Sequence, residues 1–299
     1  MGVSRVTAVI VTHNSPPVVR SAIQALLRQS VKLSRIVVVD CGSNDTSDIR
    51  TLPELSPIVS VRLETNRGFS GGNNVAIAEF KDCSDYFILV NPDAILSPTW
   101  IEGALEFMGN DASSDVGVLS SPLLGMDMKT LQPTGLWDSL GIYYRPLRGW
   151  QEQAQLRPVK ELPCPRVPYE PDAICGAVMF FPSHLVDAVA CSRGFFDETF
   201  FTYKEDIELS LRVRRAGYRL VLLPQLIAHH GRGWPKRRCD TPYWSRWRSA
   251  RNDLTMTARY FPRDLLFFLA KYLYVVSIER VLIGMRRNWS VRRSGTLTR

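Results

Sequence analysis

The segment Asn91-Pro92-Asp93 carries the strongest chemical signal in the sequence, because oxygen-ligand residues directly follow the apolar run Tyr86 to Val90. Such a run is typical of a buried strand. In an open α/β sheet, ligands bind beyond the carboxyl ends of the strands. A carboxylate there suits a divalent cation, since Mg²⁺ and Mn²⁺ prefer oxygen ligands and often join one carboxylate to substrate phosphates. A solvated turn aspartate is the alternative interpretation of Asp93.

Two earlier apolar runs end in the same way. Val6 to Val11 leads into Thr12-His13-Asn14, and Ile36 to Val39 leads into the polar turn 40–45, which opens with Asp40. A carboxylate at a strand end can accept a hydrogen bond from a base N–H or a ribose hydroxyl, although an ordinary Asp/Asn/Gly turn has the same composition. Three strand ends with this chemistry together predict a nucleotide site.

A glycine-rich run, Asn66-Arg67-Gly68-Phe69-Ser70-Gly71-Gly72-Asn73-Asn74, adds a fourth element. Its glycines permit close approach of the backbone to a ligand. We expect Asn73 to cap the helix that follows and to direct N–H groups at an anion. The spacing fits neither a dinucleotide fingerprint nor a P-loop, so the pattern does not favour an NAD enzyme.

Glu205-Asp206 opens a predicted helix. The helix dipole favours carboxylates in a first turn for structural reasons alone. The functional alternative is that Asp206 faces the cleft as a general base and deprotonates an acceptor hydroxyl. The preceding residues 200–203, Phe-Phe-Thr-Tyr, would then form an apolar wall for that acceptor.

The pair His229-His230 follows an apolar strand and precedes Gly231-Arg232-Gly233. One imidazole could complete a metal shell while Arg232 meets phosphate oxygens. A lone histidine is more often a packed or solvated residue, so this interpretation depends on the fold.

The elements that must position these residues alternate through the first 120 residues. Strands are predicted over 6–11, 35–40, 59–63, 85–90 and 116–120, and helices over 17–29, 73–81 and 98–108. This alternation predicts an α/β fold with a mainly parallel sheet. Residues 121–171 contain eight prolines and interrupt the rhythm, which indicates an insertion or long surface connection that shapes substrate selectivity.

The pattern returns after residue 171. A strand is predicted over 172–181, with Pro182 in the first turn of a helix that runs to about residue 190. A helix is predicted over 204–216 with Gly217 as its C-terminal cap, followed by a strand over 218–223. Residues 241–287 read as one or two amphipathic helices.

The charge of the 299-residue chain is uneven. Residues 1–230 carry 21 basic and 25 acidic side chains, whereas residues 231–299 carry 16 and 4. Aromatic side chains interleave with the basic ones in this tail, a combination that suits an anionic bilayer surface. The alternatives are a solvated face over a C-terminal core helix and a basic module that binds nucleic acid.

The six cysteines fall at no metal-ligand spacing, and no secretory signal is evident, since the apolar run 6–11 is too short. Reduced thiols in a cytoplasmic protein are therefore expected. The apolar stretch 265–285 is interrupted by Lys271, Glu279 and Arg280. We expect it to lie on a membrane surface, because a span needs about 20 uncharged residues.

Taken in order, these motifs, together with Gly176-Ala177 and the segment 195–206, resemble family 2 of the inverting glycosyltransferases, which have the GT-A fold. The most similar branch is that of the bacterial rhamnosyltransferases, and the resemblance spans about residues 5–233. It implies a Rossmann-like sheet flanked by helices. We accordingly expect a transferase domain over 1–235, with 121–171 as a variable acceptor-side insertion, and a basic, aromatic-rich helical tail over 236–299.

The resemblance also implies roles for individual residues. Thr12 and Asn14 would line the nucleotide pocket, and Asp40 would contact the pyrimidine base. Asp93 would stand at the position of the last acid in the metal motif Asp-x-Asp. The first position of that motif is Asn91, which leaves one carboxylate instead of two. Further residues assigned to the nucleotide sugar are Ser43, Asp45, Asn66, Gly68, Asn73, Asn91 and Arg232.

The remaining assignments concern catalysis, the metal and the acceptor. Asp206 matches the general base, with Glu205 beside it. His229 is assigned to the metal with Asp93, and His230 is the alternative. Residues assigned to the acceptor are Gly176, Ala177 and Tyr203.

The resulting hypothesis is an inverting glycosyltransferase that uses Mg²⁺ or Mn²⁺ and moves a sugar from dTDP-rhamnose or a UDP-sugar to a lipid-linked or polysaccharide acceptor. It would act at the inner face of the cytoplasmic membrane, bound peripherally to anionic lipid, with no nucleic-acid partner. The enzymatic alternative is a sugar nucleotidyltransferase or another nucleotide-sugar-processing α/β enzyme. A phosphate loop is expected in such an enzyme, yet residues 12–17 contain no glycine.

Overall fold

The structure, a computed structural model, describes residues 4–14, 16–44, 57–232 and 241–282. The chain divides into two compact units. The first comprises Met1–Tyr144 and Trp150–Arg232, and the second comprises Arg145–Gly149 and Gly233–Arg299. Every candidate site residue named above belongs to the first unit.

Thirteen strands are present among the described residues. They are β1 (Val6–Thr12), β2 (Arg35–Cys41), β3 (Ile58–Leu63), β4 (Tyr86–Val90), β5 (Ala94–Leu96), β6 (Val116–Ser120), β7 (Leu123–Asp127), β8 (Gln132–Ser139), β9 (Ile142–Arg145), β10 (Gly149–Glu152), β11 (Val178–Pro182), β12 (Arg219–Leu222) and β13 (Ala228–His230). The α-helices are α1 (Pro16–Leu27), α2 (Gly68–Phe80), α3 (Trp100–Met108), α4 (His184–Val189), α5 (Glu205–Arg215), α6 (Tyr243–Tyr260) and α7 (Leu265–Tyr274).

Seven strands form the central sheet in the order β12-β6-β11-β4-β1-β2-β3. All neighbouring pairs are parallel except those made by β11, which runs antiparallel to β4 and β6. The predicted α/β fold with a mainly parallel sheet is confirmed. In the parallel register of β1 and β2, Thr12 lies opposite Asp40, so both candidate nucleotide residues reach the same edge.

The core lies on both faces of this sheet, as expected where helices cover a parallel sheet. Successive side chains of a strand point to opposite faces. Along β1, Ala8 and Ile10 accordingly pack into one hydrophobic cluster and Val9 into another. Trp100 of α3 is fully buried in the first cluster.

Helix α2 begins at Gly68, five residues before the predicted start at residue 73. A side chain at Gly72 would lie only 2.6 Å from Cγ1 of Val11 and 3.0 Å from the sulfur of Cys41. The missing side chain therefore lets the helix approach β1 and β2 closely. This packing offsets the low helix propensity of glycine, which is why the sequence pattern placed the start too late.

A second sheet has the order β5-β13-β7-β8, and β9 pairs with β10. Of the two interpretations of 121–171, a long connection without regular structure is wrong, because four strands lie within it, and an insertion stays a prediction. Strands β5 and β13 were not predicted either, since three residues are too few to show a period. The predicted strand 172–181 begins only at Val178, and Pro182 ends that strand instead of starting a helix.

In the second unit, α6 and α7 are joined by a short helical turn, and α7 continues into a π-helical turn over Val275–Glu279. Lys271 forms an ion pair with Asp253 at 2.7 Å, and Arg246 forms one with Glu279 at 3.1 Å. None of the helices in the described part of the chain combines the length and apolar character needed to span a bilayer.

Candidate active site

The ends of β1 and β2 are joined by hydrogen bonds between their loops. The backbone N–H of Asn14 donates to the hydroxyl of Ser43 at 2.8 Å. The Asn14 side-chain oxygen accepts from the N–H of Asn44 at 2.9 Å. The ring Nδ1 of His13 lies 2.9 Å from the carbonyl oxygen of Cys41. These contacts fix one polar rim at the edge where Thr12 and Asp40 emerge.

Asp40 has one occupied and one unoccupied carboxylate oxygen. Oδ1 accepts a hydrogen bond from the N–H of Ser43 at 3.0 Å. Oδ2 is buried and has no hydrogen-bond partner among the described residues. A buried polar atom without a partner costs about 1–3 kcal/mol, so this oxygen favours a ligand donor. Asp45, which we assigned to the same site, lies outside the described residues.

Gly68 lies against the loop that leads to Glu205-Asp206. Its φ of +69° is in the left-handed region, and an added side chain would clash with the backbone carbonyl of Phe201. The N–H of Ser70 donates to that same carbonyl at 3.2 Å. The side-chain oxygen of Asn66 accepts from the N–H of Gly68 at 2.8 Å. Glycine is therefore required here for both conformation and space.

The expected capping role of Asn73 is wrong. Because α2 starts at Gly68, Asn73 lies inside the helix, where it is buried and donates to the carbonyl of Phe69 at 2.9 Å. Its neighbour Asn74 has a role that the sequence did not reveal. The Asn74 side chain accepts from the N–H of Phe196 at 2.8 Å and donates to its carbonyl at 2.9 Å, so it anchors the segment before Asp206.

Asp206 is held at the start of α5 by two backbone donors. Its Oδ2 accepts from the N–H of Gly176 at 2.8 Å, and its Oδ1 accepts from the N–H of Ile207 at 2.8 Å. A side chain at Gly176 would stand 3.1 Å from Cβ of Asp206. Gly176, assigned from the sequence to the acceptor, therefore positions the candidate base.

Glu205 is buried beside Asp206, and its Oε2 has no hydrogen-bond partner among the described residues. Burial, followed by the neighbouring Asp206 carboxylate, raises the pKa of Glu205. Tyr203 and Lys204 just before it have φ values of +70° and +73°. Left-handed backbone at such residues costs energy and is concentrated at functional sites.

The side chain that meets Asp93 is His230. Its Nε2 lies 3.2 Å from Oδ1 of Asp93 and 3.4 Å from Nδ2 of Asn91. The assignment of His229 to this position is corrected, because neighbouring residues of β13 point to opposite faces and only His230 faces Asp93. Burial alone would lower the pKa of His230, but hydrogen bonds to Asp138 and Asp93 outweigh it and raise the pKa to about 9.

Asp93, Asp138, Glu152, His230 and Arg232 form what we call the charge cluster. Nδ1 of His230 donates to Oδ2 of Asp138 at 2.8 Å. Nε of Arg232 lies 3.1 Å from Oδ1 of Asp138, and its NH2 donates to Oε1 of Glu152 at 2.7 Å. The sequence pointed to neither Asp138 nor Glu152. In the structure, the guanidinium of Arg232 binds these two carboxylates. Its predicted contact with phosphate oxygens stays a prediction.

The charge cluster and Asp206 meet at the segment 175–177. The NH2 of Arg232 lies 3.3 Å from the sulfur of Cys175, and the next residue holds Asp206. The N–H of Asn91 donates to the carbonyl of Ala177 at 2.9 Å. The side chain of Ala177 is buried in the core, and the assignment of Ala177 to the acceptor stays a prediction.

The charges of the cluster favour a cation. Three carboxylates face two basic side chains, and burial raises the pKa of Cys175 well above its usual range, which keeps that thiol neutral. Over the described ranges, no three or more His, Cys, Asp or Glu side chains are placed to form a metal site. Asp93 and His230 nevertheless fit a partial one, since Mg²⁺ commonly takes one or two carboxylates and completes its shell with substrate phosphates and water.

Residues 7–134 match the family described as Glycosyl transferase family 2. Over these residues, less than half of the chain, the sequence is similar to family 2 glycosyltransferases. This match covers β1 to β7, and it includes the rim around Asp40 as well as Asp93. No curated protein sequence matches the chain.

Solved structures extend this likeness. The chain resembles GalNAc-T7 crystallised with UDP, GalNAc and Mn²⁺, with a TM-score of 0.67 and 14% identity, over 86% of the chain and 48% of GalNAc-T7. It therefore spans about half the length of that protein. It also resembles the mannosyltransferase PcManGT from Pyrobaculum calidifontis in complex with GDP-Man and Mn²⁺, with a TM-score of 0.58 and 18% identity, over 91% and 70%.

A third similar structure is TarS of S. aureus, with a TM-score of 0.55 and 15% identity, over 91% of the chain and 43% of TarS. At these identities the likeness concerns the fold. The expected GT-A fold is confirmed.

Proposed function

We propose that this protein is an inverting glycosyltransferase that moves a sugar from a nucleoside diphosphate onto an acceptor hydroxyl. The observation that carries the proposal is the arrangement around residues 175–177. Asp206 is held by Gly176, and the neighbouring residues Cys175 and Ala177 contact Arg232 and Asn91. A candidate base and a candidate diphosphate site thus share one short segment.

The chemical step follows from these roles. Asp206 accepts the proton of the acceptor hydroxyl, and the hydroxyl oxygen forms a bond to the anomeric carbon. The bond from that carbon to the diphosphate oxygen breaks, and its electron pair leaves with the nucleoside diphosphate. Attack from the face opposite the diphosphate inverts the anomeric configuration. General-base assistance of this kind contributes about 10² to 10⁴ in rate.

Asp93 and His230 would hold a divalent cation, Mg²⁺ or Mn²⁺. When bound, such a cation neutralises charge that develops on the leaving diphosphate, which is worth several kcal/mol. Support comes from the excess of carboxylates in the charge cluster, and from the Mn²⁺ present in the similar structures of GalNAc-T7 and PcManGT.

For the donor we propose a pyrimidine nucleotide, dTDP-rhamnose or a UDP-sugar. The buried Oδ2 of Asp40 lacks a partner among the described residues and suits the ring N–H of uracil or thymine. GalNAc-T7 was crystallised with UDP, whereas the PcManGT structure is a complex with GDP-Man. A GDP-sugar is therefore included in the test below.

The test is a transfer assay with UDP-, dTDP- and GDP-sugars and Mn²⁺, which follows release of the nucleoside diphosphate with and without an acceptor. We expect one pyrimidine donor to be used. Asp206→Asn should lower kcat by about 10² to 10⁴ and leave the Kd of the nucleotide within a few-fold. Retained kcat in this variant would remove Asp206 from the mechanism.

A sugar nucleotidyltransferase, the enzymatic alternative, would release pyrophosphate from a nucleoside triphosphate. The same samples can be assayed for pyrophosphate formation from UTP or dTTP with a sugar phosphate. We expect none, because the loop after β1 contains no glycine.

We further propose that the acceptor is a lipid-linked or polysaccharide hydroxyl and that the second unit binds an anionic membrane surface, at the inner face of the cytoplasmic membrane. Along 265–282, eight large apolar side chains are at least 39% exposed. They are Leu266, Phe267, Leu269, Leu273, Tyr274, Ile278, Val281 and Leu282. Exposed apolar surface of this extent marks an interaction site.

The positive charge of residues 231–299 favours an anionic bilayer, and not a second copy of the chain, as the partner of this apolar face. Residues 231–299 carry 16 basic and only 4 acidic side chains, so two copies of this segment would repel each other. Anionic lipid would attract it, by about 1 kcal/mol for each basic side chain near the surface.

Flotation with phosphatidylcholine vesicles, with and without phosphatidylglycerol, tests the membrane proposal. We expect binding to the anionic vesicles that weakens with salt, and a loss of at least about tenfold on joint replacement Leu266→Ser and Leu273→Ser. The control is Leu156→Ser, an exposed leucine of the first unit. Unchanged binding in the double variant, or sedimentation as a dimer that this variant dissociates, would contradict the proposal.

A further inference from the structure

Asp138 lies between the two basic side chains of the charge cluster. It is 6% exposed, and each of its carboxylate oxygens has a different partner. Oδ2 accepts from Nδ1 of His230 at 2.8 Å, and Oδ1 lies 3.1 Å from Nε of Arg232. Glu152 holds the other side of the Arg232 guanidinium at 2.7 Å. The contacts therefore form a continuous series from Glu152 through Arg232, Asp138 and His230 to Asp93.

A β-bulge places Asp138 in this series. In the pairing of β7 with β8, Leu123 lies opposite Ser139 and Leu124 lies opposite Trp137, with a register shift between them. Asp138 is the extra residue in β8. Bulges of this kind redirect a side chain and are frequent next to active sites. The local geometry thus turns a strand residue toward His230, on the far side of β7.

The contact with Asp138 keeps a proton on Nδ1 of His230, whether the imidazole is neutral or protonated. An ionised carboxylate only accepts hydrogen bonds, so the proton of this contact lies on Nδ1. Nε2 faces Asp93 and Asn91, where a bound cation would take the place of its proton. Histidines that bind metals usually donate their other ring N–H to a carboxylate or carbonyl in this way.

We propose that Asp138 is a positioning residue that orients His230 through Nδ1, so that Nε2 is presented to the cation beside Asp93. This inference rests on the proposed function. It assigns to the 121–171 region, expected from the sequence to serve the acceptor, a role at the cation side of the site.

The test combines a spectroscopic readout with a binding readout on the full chain. Only four histidines are present, so ¹⁵N-histidine labelling and ring ¹H–¹⁵N correlations can resolve each one, with His230→Gln for assignment. We expect a protonated Nδ1 on His230 in the wild-type protein. In Asp138→Asn, the amide can donate to Nδ1, which then loses its proton while Nε2 keeps one. The Kd of Mn²⁺ alone, measured by EPR, should rise about 10- to 100-fold.

Two variants control for general damage to the fold. Glu152→Gln removes the partner of Arg232 but leaves the contact between Asp138 and His230, so the His230 signals should stay unchanged. Asp85→Asn makes the same acid-to-amide change at an ion pair with Arg5, away from the cluster, and should alter neither readout. Asp138→Glu, which keeps the charge, should restore part of the Mn²⁺ affinity.

A bare Nδ1 on wild-type His230 overturns the proposal, and this result does not depend on the folding of any variant. So does an Asp138→Asn protein with unchanged His230 signals and a Kd of Mn²⁺ within twofold of wild type. Failure of the proposed function is distinguishable, because a protein with the expected His230 signals but no transfer from any donor would retain the positioning role and lose the transferase activity.

Discussion

The rim around Asp40 and the charge cluster around Arg232 are built in different ways. The rim consists of short loops whose polar groups bind neighbouring backbone, and it leaves Oδ2 of Asp40 buried without a partner in the described chain. In the charge cluster, the carboxylates of Asp138 and Glu152 are held by basic side chains. The rim leaves a buried acceptor open to a ligand donor, whereas two of the three carboxylates in the cluster are already paired.

This difference predicts that the two regions have different roles in binding. A buried acceptor without a partner gains most from a ligand, since the ligand removes a desolvation cost. A paired network gains less from a new contact, but it holds its members in place before a ligand arrives. The Asp40 rim should therefore determine nucleotide affinity, and the charge cluster should determine cation binding and geometry.

Asp40→Asn should have the largest effect on this comparison. Loss of a hydrogen bond to a charged acceptor costs about 1.5–3 kcal/mol, or roughly 10- to 100-fold in the Kd of the preferred nucleoside diphosphate, measured calorimetrically without metal. The matched variant Asp138→Asn should leave this metal-free Kd unchanged. It should weaken only the additional nucleotide affinity that Mn²⁺ supplies. Equal effects of the two variants on the metal-free Kd would show that the regions are not separable.

Gly176→Ala should have an intermediate effect. The new methyl group would lie 3.1 Å from Cβ of Asp206 and 3.4 Å from its Oδ2, so the carboxylate must shift by a few tenths of an ångström. Because small misplacements at a reacting centre are costly, we expect kcat to fall up to about tenfold with KM for the donor unchanged. Gly103→Ala, which would meet only the flexible end of Leu226, is the control. Full activity of Gly176→Ala would show that the position of Asp206 is not critical.

Glu205→Gln should have the smallest effect of the three variants. The property that it changes is the stability of the folded protein. The pKa of Glu205 is raised to about 8, first by burial and then by Asp206. From about pH 4.5 to about pH 8, the unfolded chain releases a proton that the folded protein keeps, so wild-type stability falls across this window and then levels. The glutamine variant lacks this loss.

We therefore expect the Tm of Glu205→Gln to exceed that of wild type by a few degrees at pH 8 and to equal it near pH 4.5, as measured by calorimetry. Each kcal/mol corresponds to roughly 2–4 °C in a protein of this size class. A Tm difference that does not change with pH would contradict a buried, protonated Glu205.

The same comparison explains what the sequence revealed. Asp40, Asp93 and Asp206 were found because each stands at the end of a strand or the start of a helix, where local pattern gives the position. Asp138 and Glu152 were missed, since their partners lie 92 and 80 residues away in the chain and a bulge determines the direction of Asp138. No local periodicity encodes such a contact.

The choice between His229 and His230 shows a second limit. A shift of one residue in a strand exchanges its two faces, and β13 has only three residues, too few to reveal which face is buried. The pairing of His230 with Ala94 and Gly125 in the sheet settles the direction. The late start predicted for α2 has a similar cause, because packing of Gly72 against β1 overrides propensity.

The central claim is that the Asp40 rim, the Asp93–His230 pair and Asp206 surround one nucleotide-sugar site. A crystal structure grown with Mn²⁺ and the nucleoside diphosphate that the donor panel selects tests this most directly. We expect the base at Oδ2 of Asp40, Mn²⁺ within bonding distance of Asp93 and His230, and the Asp206 carboxylate across an open space from the diphosphate. A nucleotide bound away from Asp40, or Mn²⁺ coordinated by neither Asp93 nor His230, would contradict the account.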